Sequence, residues 1–461
     1  MPNYIPNNSS FRDPSGYISQ RNNKIIRIVN SSYKEHYDYL KSSGLKNKLV
    51  NKKKMINFIE IENKDKDIYK IIQPEMINTI TYPYEWSFSQ LKDAALLTLD
   101  IQEESIKKDM LLKDSSAFNI QFQANKPVFI DHLSFTKVFN KNYTWPGYNQ
   151  FCKHFLAPLA LMAYSTINLN KLFWSNIDGI DIEDAAKILP FKTYFYLNTL
   201  VHIHLHSVSI KKYSISGETK TKTKRIISKN EQLMFIENLK NSIKKIKLGK
   251  IHTEWSEYYE NTNYSNISEK NKISTIKKFV ANFKIESIID IGGNSGKYTK
   301  IFNGKKLKEI IVLDKDPLAI EKLYTQSKLD KFNITHPIIF DIANPSPAIG
   351  ILNEERVTLE KRVQQKDLIL ALALIHHLII GNNLNFEQVS NFLLRFTKKL
   401  LIIEFVSKDD SQVKKMLSTR EDVFEHYDEF EFENKFKKNF TILKKEVIKQ
   451  SNRILYLMKR R

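Results

Sequence analysis

The chain carries a single cysteine, Cys152, in 461 residues. One thiol excludes an internal disulfide and a zinc site built on several cysteines, and it fits a reducing compartment, so a cytoplasmic address is expected. Glycine and proline are scarce as well, at 12 and 13 residues, which excludes collagen-like and linker-dominated chains. Long apolar runs are missing: the most hydrophobic stretches, 155–164 and 368–374, fall far short of the roughly 20 residues that a membrane-spanning helix needs. Residues 1–16 have neither a basic segment nor an apolar one, so they do not read as a signal peptide. No membrane span is expected, and no metal site.

What the sequence does have is core. With 42% hydrophobic and 11% aromatic residues, it suits two or three globular domains at roughly 100 to 200 residues each. It is also basic, with 72 Lys and Arg against 51 Asp and Glu, a net charge of +21. Such an excess raises a nucleic-acid partner, because lysines release counterions from phosphates. Yet residues 211–250 alone hold 12 Lys and Arg against 3 acidic residues, a net of +9. The rest is lysine scattered among Asn and Ile, and this uneven pattern argues against a nucleic-acid surface.

Three regions follow from the residue pattern. Residues 1–212 read as an α+β domain. A hairpin is expected from Tyr17–Ser19 and Ile25–Val29, then a helix over Tyr33–Leu45 ending at Gly44, a strand pair over Ile56–Ile61 and Ile68–Ile72, a long helix over Ser87–Met110, a hairpin over Ile120–Phe122 and Val128–Ile130, and a mostly helical stretch from Tyr148 to Ser209. Residues 213–250 read as a basic linker with a connecting helix, Glu231–Leu248. From 251 to 461 the rhythm is strand, turn, helix, repeated, the signature of a parallel doubly wound sheet.

The strongest motif lies in the third region. Ser287–Ile291 is an apolar strand bearing Asp290, followed by Gly292-Gly293-Asn294-Ser295-Gly296 and a helical segment. Glycines there let the main chain bend sharply and come close to a ligand at the strand's C-terminal end. A second strand, Ile310–Asp314, ends in a carboxylate at about the distance, roughly 20 residues on, where such folds place an acid on a ribose diol. Pro337–Phe340 is a third strand, ending at Asp341. The turn is no P-loop, lacking Lys-Ser/Thr after Gly296.

These residues resemble the class I S-adenosylmethionine (SAM) dependent methyltransferases. The resemblance runs on through Asp367–His377 as a fourth strand, Lys399–Val406 as a fifth, and Phe440–Val447 with Arg453–Met458 as a terminal antiparallel hairpin, about 190 residues in all. It implies a Rossmann-like sheet and SAM as cofactor. By the family pattern Gly292, Gly293, Asn294 and Gly296 line the cofactor, Asp290 sits near its amino acid part, Asp314 binds the ribose, and Asp341 with Ile342 touches adenine. Asn294 stands where many members have glycine, which a left-handed backbone tolerates in Asn better than in most residues.

Methyl transfer from a sulfonium needs alignment first and a general base only where the acceptor must lose a proton. His376, His377 and Glu404 are the base candidates, lying after or at the end of the fourth and fifth strands. Trp255, Tyr258, Tyr259 and Tyr264 suit an aromatic lid or, equally, a packed helix face.

In the first region Asp114, Asn119 and Asp131 have the spacing of a kinase-type catalytic loop and metal-binding acid. The order of elements also resembles a small protein-kinase-like or aminoglycoside-phosphotransferase-like fold, with Arg27 in the place of the strand lysine and Glu35 or Asp38 as its partner. No Gly-rich loop of G-x-G-x-x-G type opens the domain, and Lys113 precedes Asp114 where the family has another residue. His202, His204 and His206 lack an adjacent acid at ligand spacing and read as interior histidines.

As a whole the chain is similar to a bacterial family of SAM-dependent methyltransferases with such an N-terminal region, some members of which are labelled nodulation proteins. The matching phrases include Phe11–Gly16, Tyr84–Phe88, Phe155–Leu159, Asn344–Pro347 and Ala371–Leu378. The resemblance carries over no substrate; the nodulation label alone suggests a glycan or other small-molecule acceptor, which the N-terminal domain is expected to recognise. Two alternatives stay open: a bifunctional kinase and methyltransferase, or a non-catalytic binding protein for an anionic partner.

Overall fold

A computed structural model describes residues 4–21, 24–63, 65, 67–216, 226–249, 251, 253, 265–302, 306–329 and 334–461. The chain divides into two compact units, one of residues 1–250 with 347–357 and one of residues 251–346 with 358–461. The connecting helix Lys229–Lys245 therefore lies in the first unit. So does the segment Pro347–Val357, taken from the middle of the C-terminal half.

The first unit opens on a four-stranded antiparallel sheet, β1 (Gly16–Arg21), β2 (Lys24–Asn30), β3 (Phe58–Ile61) and β4 (Ile68–Pro74), in the order β1-β2-β4-β3. Between β2 and β3 the expected helix ends at Ser42, and a left-handed turn at Gly44 leads into a second helix, Leu45–Asn51, that the sequence pattern does not single out. Val29, Tyr33, Tyr37, Phe58 and Ile72 pack this sheet onto the first helix. The long helix Phe88–Lys107 starts at an N-cap made by Ser87, whose Oγ accepts from the Gln90 N–H while Gln90 Oε1 accepts from the Ser87 N–H. Two short pairs follow, β5 (Met110–Leu112) with β8 (Phe135–Lys137) and β6 (Ile120–Gln123) with β7 (Lys126–Phe129). From 148 to 216 the chain is helical but broken, with π-helical turns at Cys152–Leu156 and Leu200–Leu205 and 3-10 turns between.

The second unit is built on a seven-stranded sheet: β9 (Ser287–Ile291), β10 (Glu309–Asp314), β11 (Thr335–Ile339), β12 (Lys366–Ala371), β13 (Thr397–Val406), β14 (Phe440–Val447) and β15 (Arg453–Arg460). Its order is β11-β10-β9-β12-β13-β15-β14, parallel through β13 and antiparallel at β15 and β14. The parallel, doubly wound part is what the strand rhythm predicts, and the terminal antiparallel hairpin is what the resemblance implies. Alternate residues of one strand enter opposite cores: Ile289 and Ile291 on one face, Ile288 on the other. Both faces are buried, which explains why β9, β10 and β12 read as continuous apolar runs rather than alternating ones. Chain reversal between β9 and β12 in the strand order opens a crevice at their C-terminal ends.

Candidate active site

That crevice holds a cleft of ≈ 1040 Å³, counting its open mouth, walled by the ends of β9, β10, β11 and β12. The glycine turn forms its floor. Asn294 takes a left-handed conformation, φ 49°, as the motif requires of it, and its N–H donates to Asp314 Oδ2 at 2.8 Å. The Asp316 N–H donates to the other Asp314 oxygen at 2.9 Å. A side chain at Gly293 is sterically excluded, because its Cβ would come within 2.7 Å of Val312 and 2.8 Å of the Asp290 carboxylate. The absence of a side chain here is what leaves the cleft open above Asp290.

Asp290 is buried, and among the described residues its Oδ2 has no hydrogen-bond partner. Burial pushes its carboxyl up to about 7, against the pull of the Lys272 ammonium and with the Asp314 charge adding to the rise. Asp314 is pushed up to about 6, again by burial, with the Asp316 and Asn294 N–H groups opposing. An orphaned buried carboxylate beside an open cleft is costly unless a cationic ligand compensates it.

Seven of the expected cofactor residues, Asp290, Gly292, Gly293, Asn294, Asp314, Asp341 and Ile342, are brought together on the cleft wall. Gly296 is not on the wall; it sits at φ 71° one turn further on, against Leu323 and Thr299, and shapes the turn. Of the three base candidates only His377 faces the cleft. Burial pushes its imidazole down to about 4, with the Lys315 and Arg453 charges adding, so it is neutral at physiological pH. His376 is 1% exposed, lies 4.1 Å from His377 between ring centroids with the rings tilted by 40°, and is held well below the ordinary histidine range by burial.

Glu404 corrects the sequence reading most sharply. It is fully buried behind the wall, with Oε2 at 2.5 Å from Lys272 Nζ and accepting from the Ala373 N–H at 2.9 Å, while Oε1 lies 3.5 Å from Arg453. A carboxylate committed to two cations and a backbone donor is not a base for an acceptor. Ala373 itself is left-handed, φ 50°, so this bond fixes the strained turn that carries the fourth-strand end into the cleft. Lys272, from the helix Asn266–Val280, lines the cleft and lies 4.4 Å from the Tyr298 ring centroid. Neither Lys272 nor Tyr298 was indicated by the sequence, since only long-range packing brings a helix lysine to a strand end. Trp255, Tyr258, Tyr259 and Tyr264 lie outside the described residues.

In the first unit, Arg27, Asp114, Asn119 and Asp131 converge. Arg27 Nη1 pairs with Asp131 Oδ1 at 2.5 Å, and Asp13 lies 3.7 Å from the same guanidinium. Burial works against the Asp131 charge, but Arg27 with the Leu133 N–H and Ser134 holds its carboxyl low. Asp114 is pushed up by burial and by Asp131. Arg27 Nε is buried without a hydrogen-bond partner among the described residues. Glu35 instead pairs with Lys137 at 3.0 Å, and Asp38 accepts from the Tyr69 hydroxyl at 2.5 Å. His202 Nδ1 is 2.8 Å from the Tyr148 hydroxyl, and His204 stacks on Tyr194.

No protein-family model matches the chain. It is 31% identical to nodulation protein NoeA of Rhizobium meliloti (strain 1021) over 464 aligned positions, covering 98% of this chain and 95% of the relative. Among solved structures it is similar to N-methyltransferase NodS of Bradyrhizobium japonicum WM9, at 14% identity, 42% of this chain, 98% of that chain and a TM-score of 0.31. It is similar also to magnesium protoporphyrin IX methyltransferase (ChlM) of Synechocystis PCC 6803, at 12% identity, 45% of this chain, 93% of that chain and a TM-score of 0.32. With nearly the full length of both sequences aligned, the chain belongs to the family of nodulation protein NoeA.

Proposed function

We propose that the second unit binds SAM and transfers its methyl group to a small-molecule or glycan acceptor. The observation that carries this reading is the buried Asp290 carboxylate above the glycine turn, beside Asp314, with its Oδ2 left without a hydrogen bond among the described residues. When bound, SAM supplies an electrophilic methyl on a sulfonium. The residues present suit it. Asp290 offers a carboxylate to a cationic head group, and Lys272 on the same wall offers an ammonium to its carboxylate. Each Asp314 oxygen accepts one backbone N–H and keeps a lone pair for a hydroxyl, as a ribose diol requires. Phe340, Ile342 and Leu374 give an apolar slot for a flat base, with Asp341 at its edge.

On this reading Asp290, Gly292, Gly293, Asn294, Asp314, Asp341 and Ile342 hold the cofactor. Of the three base candidates, the neutral His377 imidazole is the one on the wall able to take a proton from an acceptor. Glu404 and His376 act behind it, Glu404 as a positioning residue through Lys272 and Ala373.

A second reading adds phosphoryl transfer by the first unit, and one observation favours it: Arg27 and Asp131, both buried, share one cluster with the half-buried Asp114 and Asn119. Against it stands the Arg27–Asp131 ion pair, which already satisfies the acid that would ligate a metal. One calorimetric experiment addresses both readings, titrating the full chain with SAM and separately with Mg-ATP. SAM alone is expected to bind, and Asp314→Ala to weaken it by about 1.5–3 kcal/mol, the range for a hydrogen bond to a charged group. Unchanged affinity in that variant removes Asp314 from the site, no SAM binding removes the methyltransferase reading, and Mg-ATP binding revives the kinase.

A further inference from the structure

Between Ile188 and Val208 the first unit turns its surface inside out. Phe191, Phe195 and Leu197 are 74%, 76% and 75% exposed, and Tyr194 and Tyr196 are exposed beside them. Polar groups meanwhile lie beneath. Thr193 is fully buried, its hydroxyl donating to the Pro190 carbonyl at 2.7 Å and lying 2.9 Å from His204 Nε2. Thr199 is fully buried and donates to the Thr193 carbonyl at 2.5 Å. These bonds fix the short 3-10 turn Phe191–Phe195, which leaves the Phe191 and Phe195 rings outward while Tyr194 stacks on His204. In the helix that follows, Val201, Leu205 and Val208 are exposed at spacings of four and three, one stripe along an outer face, while His202, Ile203 and Ser207 are buried.

Single exposed apolar residues are ordinary, but eight large ones within 18 residues, held outward by buried hydroxyls, form a contiguous patch of the kind that marks an interaction surface. Its chemistry narrows the partner. Phenylalanine and tyrosine with interspersed lysine are side chains that partition to a membrane interface. Lys187, Lys192 and Lys211 are exposed around the patch, Lys187 lying 3.1 Å from Asp184 and Lys211 3.9 Å from Glu183. At the end of the patch helix and beyond it, residues 211–225 of the sequence carry 6 Lys and Arg against 1 acidic residue, a net of +5. Among the described residues no helix is long and apolar enough to cross a bilayer, so the contact would be with a surface.

We propose that this patch docks the protein on an anionic lipid bilayer, the aromatic turn entering the interface and the lysines meeting the head groups. The inference is independent of the SAM reading.

The test is co-sedimentation of the full chain with vesicles of phosphatidylcholine alone or mixed with phosphatidylglycerol, for the parent, the double variant Phe191→Ser/Phe195→Ser, and Lys187→Glu/Lys192→Glu. All four side chains are exposed, so the fold does not depend on them. The parent is expected to bind the anionic vesicles. Binding should fall about tenfold or more with loss of the two rings and by about fivefold for each lysine charge removed. The proposal is overturned if the parent binds neither vesicle, if the ring variant binds as the parent does, or if light scattering shows a dimer that the ring variant abolishes, which would assign the patch to a second copy of the chain.

Discussion

Asp290 and Asp314 are the residues on which the site turns, and both are held above the ordinary carboxylate value of 3.8, at about 7 and about 6. A carboxyl that is more basic in the fold than in the unfolded chain keeps its proton longer in the fold. Its contribution to stability is therefore complete below about pH 4 and is lost as pH rises toward 7. Cofactor binding has the opposite sign on the proposed reading, because a cationic head group pairs with Asp290 only once that carboxyl has lost its proton. Affinity for SAM is expected to climb with pH, approaching tenfold per unit below pH about 7, and to level off above it. Calorimetry at several pH values measures this, and Asp290→Asn should bind weakly with no such slope. A parent affinity flat between pH 5.5 and pH 8 would show that Asp290 ionisation is not linked to the ligand. These residues were legible in the sequence because glycine punctuation and an acid closing an apolar strand are local signals. Lys272 and Tyr298 were not, since an isolated lysine on an amphipathic helix carries no mark of the strand end it will reach.

Among the elements, the helix Asn266–Val280, the end of β12, β13 and β15 meet at one buried carboxylate. Glu404 on β13 joins Lys272 of the helix, the Ala373 N–H after β12 and Arg453 of β15, which itself pairs with Asp410 at 2.8 Å. Removing one partner from a buried ion pair strands the other charge in a low-dielectric interior. Glu404→Gln is expected to cost about 3–5 kcal/mol in urea unfolding. Adding Lys272→Met to that variant should recover much of the loss, because no lone charge is then left beside the amide. If the single variant is as stable as the parent, the carboxylate does not hold these elements together. The strands themselves were plain from their apolar runs, and β9 falls on the predicted residues, 287–291. The π-helical and 3-10 breaks between 148 and 216 were not, since their composition is as apolar as an unbroken helix and side-chain packing decides the break.

At the scale of the whole molecule the chain order is not the order of its compact units. Pro347–Val357 leaves the second unit between β11 and β12 and packs into the first, a crossing that the loop-like Asn344-Pro345-Ser346-Pro347 does not announce. Ile349 joins Tyr82, Tyr84, Phe118 and Phe173 in an apolar cluster. Glu355, 1% exposed, receives two hydrogen bonds from Arg12, Nε at 2.7 Å and Nη2 at 3.0 Å. Arg356 lies over the Phe118 ring at 4.7 Å. Arg12 is half exposed, so water replaces part of what it loses, and Glu355→Ala is expected to cost only about 1–2 kcal/mol. Its location is the sharper expectation. Hydrogen exchange should quicken at the amides near Arg12 and around Phe118, more than 200 residues away in sequence from the substitution, because the segment is part of the first unit's own core. Faster exchange confined to residues 347–357 would mean that the segment rests on the first unit without supporting it.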